Sequence, residues 1–129
     1  MQENTLTEQF TVTQDLLANQ DRIGSGTLPV LATPVIAAFF ERVSTKLAAT
    51  QLKADETTVG SKIAVQHLAP TLPGETVTVT SELKERDGRV FRFDLTAKDR
   101  AGVIATGTHE RVSVWGDRFL QKAEKRKNS

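Results

Sequence analysis

About two fifths of the way along the 129-residue chain, apolar spacing changes from helical to alternating, and that change limits the folds open to it. Ile36, Phe40, Val43 and Leu47 recur at helical spacing, and Val35 and Phe39 widen the stripe. A stripe this broad needs cover over most of the helix. Thr33 suits an N-cap and Pro34 the first helical position, so a helix is expected from there to about Thr50. After it the period is two. Val59, Ser61, Ile63, Val65 and His67 are expected on one strand face, Val77, Val79, Ser81 and Leu83 on a second, and Phe91, Phe93, Leu95 and Ala97 on a third. Pro70 and Pro73-Gly74, Asp87-Gly88 and Arg100-Ala101-Gly102 separate them, and a last strand runs from Val103 to about Trp115.

A weaker strand signal, with Phe10 and Val12 apolar, covers Glu8 to Thr13. Residues 14–29, with Gly24-Ser25-Gly26, read as a loop or lid. Residues 117–129 read as a charged helix or frayed tail. The order is strand, long helix, then four strands joined by tight turns. An antiparallel sheet wrapped around one apolar helix buries the apolar surface of both, which makes an α+β single domain over 1–129 the expected fold.

Composition narrows the function. A formal charge of +1 argues against a nucleic-acid partner. The absence of cysteine excludes thiolate chemistry and disulfides. His67 and His109 form no metal-ligand pattern, and there is no Gly-rich phosphate loop. The start MQENTLTEQF does not read as a signal peptide, and no apolar run reaches the roughly 18 residues of a membrane span. A cytoplasmic protein with no membrane partner, no metal and no separate cofactor is expected.

The segments VLATPVIAAFFE, VGSKIAVQHLAPTLPGETVTVTSEL and GTHERVSV, in this order and spacing, resemble the fluoroacetyl-CoA-thioesterase-like branch of the hot-dog superfamily. The resemblance spans about Val30 to Val114. It implies the hot-dog fold, a homodimer with sites near the subunit interface, and hydrolysis of an acyl-CoA thioester. It further implies that Thr33, Glu41 and His67 form the catalytic group, that Gly60 lines the acyl pocket and that Arg111 assists the substrate. One segment departs. The family's fluoroacetyl-specific lid is aromatic, whereas Ile23-Gly24-Ser25-Gly26-Thr27-Leu28 has no phenylalanine. A small or medium acyl group is therefore expected, without fluoroacetyl specificity.

The residue types suit that chemistry. His67, in phase with Ile63 and Val65, should face the helix, where an imidazole exchanges protons near neutral pH. Glu41 interrupts an apolar helical segment and must be either solvated, beside Arg42 or Lys46, or paired at a site. Thr33 and Glu41 lie about 12 Å apart along a helix and about 80° apart around it. Gly60 marks either a bulge or a close backbone approach. His109 and Arg111 share a strand face, and Lys122, Lys125, Arg126 and Lys127 form either an anion-attracting or a merely solvated tail. Two alternatives stay open: a hydratase or dehydratase on the same scaffold, for which neither Asp55 nor Asp99 has a motif-like relation to His67, and a non-catalytic acyl-CoA binder.

Overall fold

The computed structural model describes residues 4–129. Strand β1 (Thr5–Thr11) leads through a 3-10 turn at Gln14–Leu16 to helix α1 (Thr33–Ala49). Strands β2 (Glu56–His67), β3 (Thr76–Asp87), β4 (Val90–Asp99) and β5 (Gly102–Trp115) follow, and helix α2 (Gly116–Lys127) ends the chain. The strands form one sheet in the order β1-β3-β4-β5-β2, antiparallel at every pairing. The expected α+β arrangement, a sheet around one long helix, is present.

Helix α1 packs on the inner sheet face through Ile36, Phe40, Val43, Ser44, Leu47 and Ala48. They meet Val77 and Val79 of β3 and Phe91, Phe93, Leu95 and Ala97 of β4 in one core. The polar members of this interface satisfy each other. The Ser44 hydroxyl donates to the Phe40 carbonyl at 2.8 Å and lies 2.8 Å from the buried Ser81 hydroxyl. The expected β3–β4 hairpin is present, its turn formed by Gly88-Arg89 between the paired Asp87 and Val90, with Gly88 at φ +60, where a glycine costs least.

Four local expectations change. Strand β1 begins three residues earlier than its alternation suggested, because Glu8 faces inward between Leu6 and Phe10. Lys46 at 2.6 Å and Arg42 at 3.5 Å, both on α1, pair with that carboxylate and make its inward position tolerable. Helix α1 begins at Thr33, with Ala32 as N-cap and Pro34 in the first turn. Thr33 makes no capping bond, because its hydroxyl is engaged elsewhere.

Strand β2 does not keep one phase. Its register against β5 slips between Gly60 and Lys62, leaving Ser61 as an extra residue. Thr58 and Gly60 therefore share the inner face with Ile63, Val65 and His67, while Val59 and Ser61 do not. Lastly, the 14–29 segment has an anchored base. Leu17 bridges Leu31, Ala18 donates to the Val30 carbonyl at 2.8 Å, and the Ala18 carbonyl accepts from Ser25 and Gly26. The charged tail forms helix α2, none of whose residues is buried.

Phe40 is fully buried between α1 and the sheet. Phe40→Ala is expected to cost about 3–5 kcal/mol of stability, read as a lowered urea midpoint at unchanged slope.

Candidate active site

The structure sorts the five sequence-derived residues into two groups at opposite ends of β2. The first group is Thr33 with His67. Thr33 opens α1 and His67 closes β2, and Thr33 Oγ1 lies 2.7 Å from His67 Nδ1. His67 Nε2 is shielded from solvent and has no hydrogen-bond partner among the described residues. A neutral imidazole accepts at one nitrogen and donates at the other. In the tautomer in which the Thr33 hydroxyl donates to Nδ1, Nε2 is the nitrogen that carries a proton.

The second group is Glu41, Gly60 and Arg111. Gly60 pairs with Arg111 across β2 and β5, and Glu41 reaches over them from α1. Glu41 Oε1 lies 3.6 Å from Arg111 Nη1. A Cβ on Gly60 would sit 2.7 Å from Glu41 Oε1 and 3.3 Å from Arg111 Nη1, so a side chain there would push the Glu41 carboxylate away from the strand. The Glu41 side chain is 43% exposed and that of Arg111 only 7%, which makes a solvated carboxylate over a buried cation. Neither Arg42 nor Lys46 neutralises Glu41, since both turn to Glu8.

A buried guanidinium needs acceptors. Arg111 Nε donates to Thr58 Oγ1 at 2.8 Å, Nη2 to the Thr58 carbonyl at 3.0 Å, and Nη1 to His109 Nε2 at 3.1 Å. The ring of His109 is oriented by Nδ1, which lies 2.8 Å from the Lys62 carbonyl. A carbonyl only accepts, so Nδ1 holds the proton and Nε2 offers its lone pair to Arg111. Burial pushes the His109 pKa below the usual histidine range; the Lys62 hydrogen bond opposes this, Arg111 adds to it, and Glu41 and Glu110 oppose it. Burial also lowers the pKa of Arg111, against the pull of Glu41, but a guanidinium stays charged.

Sequence reasoning paired His109 and Arg111 on one face but gave His109 no task. Thr58, the other acceptor that steadies Arg111, went unnoticed. The signal was parity: Thr58 and Gly60 are in phase with each other, and His109 and Arg111 with the residues opposite them. Gly107, in the same GTHER run, is a glycine because a side chain there would collide with the Ala64 carbonyl. Glu41 and His67 thus fall in different groups. No hydrogen bond or ion pair joins the two among the described residues, and the helix separates Thr33 from Glu41 by about 12 Å.

A solved fluoroacetyl-CoA thioesterase superposes at a TM-score of 0.87 with 29% identity, covering 97% of this chain and 96% of that one. A variant of that enzyme solved with fluoroacetate and CoA superposes at 0.86 with 29% identity, over 94% and 98% of the two chains. A thioesterase superfamily member from Thermus thermophilus, 22% identical, shares the fold at 0.86 over 96% and 93%. Among curated proteins, the fluoroacetyl-CoA thioesterase of Streptantibioticus cattleyicolor is 35% identical over 97 residues, 75% of this chain and 70% of its own length. The fold is thus that of the hot-dog thioesterases, and the protein is a thioester hydrolase. More narrowly, the chain belongs to the fluoroacetyl-CoA-specific thioesterase family, whose model matches residues 12–116.

The depressed pKa of His109 has a consequence for stability. Above about pH 6.5 the residue is neutral whether the chain is folded or not. Below that, the unfolded chain takes up a proton that the folded one refuses, so stability falls as pH falls toward the folded pKa. The urea midpoint is expected to drop between about pH 7.5 and pH 5.5, and to drop less in His109→Gln. An equal drop in both proteins counts against a buried neutral imidazole.

Proposed function

We propose that the chain hydrolyses small or medium acyl-CoA thioesters as a homodimer in the cytoplasm, without a cofactor beyond the CoA of its substrate. The observation that carries this reading is the Thr33–His67 pair, with an unpartnered Nε2 turned out of solvent. In this mechanism Glu41 takes a proton from water. The hydroxide adds to the thioester carbonyl, and the developing oxyanion is held by His67 Nε2–H. The C–S bond then breaks, and the thiolate receives the proton that Glu41 removed. Arg111 fixes the carboxylate, and Gly60 leaves room for the acyl group.

A single chain keeps the two groups apart, and the edge of the sheet offers a way to join them. Among the described residues, β2 pairs with β5 alone, and Ile63 and Val65 face inward yet are only half-buried. An antiparallel pairing of β2 with the same strand of a second copy, centred on Ala64, sets Ile63 against the partner's Val65. It also sets Gly60 against the partner's His67. All four then lie on the inner face, because the extra residue at Ser61 makes their parities agree. Each site would combine Thr33 and His67 of one chain with Glu41, Gly60 and Arg111 of the other.

The acyl group follows from the entry to α1. The 23–28 stretch brings no aromatic ring, which supports a preference for plain acyl groups over fluoroacetyl. A hydratase is less well supported, since the partner of His67 is a threonine and Asp99 is engaged by Thr71 Oγ1 and the Ala101 N–H.

With acyl-CoA substrates in a free-thiol assay, His67→Ala is expected to lower kcat by about a hundredfold or more with the fold intact. The unmodified protein should hydrolyse acetyl- and butyryl-CoA at least as fast as fluoroacetyl-CoA. An active, folded His67→Ala protein removes the assignment, and a marked fluoroacetyl preference removes the acyl reading alone.

A further inference from the structure

The outer face of the sheet carries a second cavity, on the side opposite Thr33, Glu41 and His67. A cleft of about 530 Å³ opens between α2 and strands β2 and β5. Its floor is apolar, made by Val59, Val112 and Val114, and Trp115 and Phe119 wall it. Both aromatic residues remain about 40% exposed, so α2 does not close the cleft itself. Three cations, Arg89, Arg118 and Lys122, complete the lining, and no acidic residue joins them. Arg89 is fixed at the rim by a bond from Nε to the Ser113 carbonyl at 3.0 Å.

Helix α2 sorts its charges by side. At about 100° per residue, Trp115, Arg118, Phe119 and Lys122 fall on the face that lines the cleft, and Arg126 extends it by one turn. The two acids of the helix, Asp117 and Glu124, fall on the opposite face. The cationic tail is therefore not uniformly solvated, since part of it faces an apolar floor.

We infer that this cleft is a binding site for an amphiphilic anion, a straight-chain carboxylate. Its chain lies on the valine floor between Trp115 and Phe119, and its head sits among Arg118, Lys122 and Arg89. A bare phosphate would satisfy the cations but leave the floor in water. A neutral hydrocarbon would cover the floor but take solvent from three charges with nothing in return. Only a ligand with both parts uses the whole lining, and apolar walls with a few convergent polar groups are the usual make-up of a small-molecule pocket. The inference does not depend on the proposed hydrolysis, because Val59 and Val112 face away from their neighbours Gly60 and Arg111.

Trp115 is the sole tryptophan of the chain and lines the cleft, so its fluorescence reports occupancy. The full-length protein is titrated with decanoate below its micelle concentration, and in parallel with decanol, inorganic phosphate and anionic vesicles. A saturable change in Trp115 emission with decanoate is expected, with weaker binding of decanol and phosphate. In Arg118→Gln/Lys122→Gln, exposed positions that should not affect folding, decanoate affinity should fall by about tenfold or more, while His67→Ala should bind as the unmodified protein does. The inference is overturned by no saturable change, by equal affinity for decanol, or by unchanged affinity in the double variant. Loss of binding in His67→Ala, tighter binding to vesicles than to free decanoate, or an emission change that tracks protein concentration without ligand would overturn it as well.

Discussion

The geometry of the site depends on one extra residue in β2. Seven positions separate Gly60 from His67, and in an unbroken strand an odd separation puts two residues on opposite faces. The slip at Ser61 removes that conflict. It turns Gly60 inward beneath Glu41, opposite Arg111, while Ile63, Val65 and His67 stay inward as well. The exposed Ser61 hydroxyl donates to the Glu110 carbonyl at 3.1 Å, tying the bulge to β5. Without the slip the chain could offer α1 either the glycine or the histidine, but not both.

Helix α1 is the second constraint, because it carries Thr33 at one end and Glu41 midway while its other face is buried. Rigid seating of Ile36, Phe40 and Val43 in the core fixes where both polar groups emerge. The buried charge is Arg111, and it is tolerated because Thr58, His109 and Glu41 share its hydrogens and its charge. A protonated His109 would set a second cation against that guanidinium. The desolvated position keeps the ring neutral against the opposing pull of the Lys62 hydrogen bond, which holds the proton on Nδ1 and leaves Nε2 as the acceptor.

Much of the fold was legible before the structure. The helical stripe from Val35 to Leu47 and the turn residues at Asp87-Gly88 and Arg100 to Gly102 have local causes, and local causes show in sequence. The Ser61 slip showed only as one of two readings of Gly60, because Val59, Ser61 and His67 alternate as if the strand were regular, and a bulge is decided by the partner strand. Glu8 hid the start of β1 because its inward position depends on Lys46 and Arg42, which are 38 and 34 residues away. Thr33 read as a cap from its place before Pro34; its bond to His67 is a contact between distant segments. The five candidate residues came from resemblance, whereas their division into two groups came only from the fold.

That division leads to the central claim, that one working site is shared between two chains. It is tested most directly by mixing two inactive proteins, His67→Ala and Glu41→Gln, under conditions where subunits exchange. In a shared-site dimer, each mixed pair contains one site with both substitutions and one with neither. Random exchange of equal amounts should then restore about a quarter of the unmodified activity. If the mixture stays as inactive as its components while mass measurement shows that mixed dimers have formed, the shared site is contradicted, and Glu41 must meet His67 within one chain.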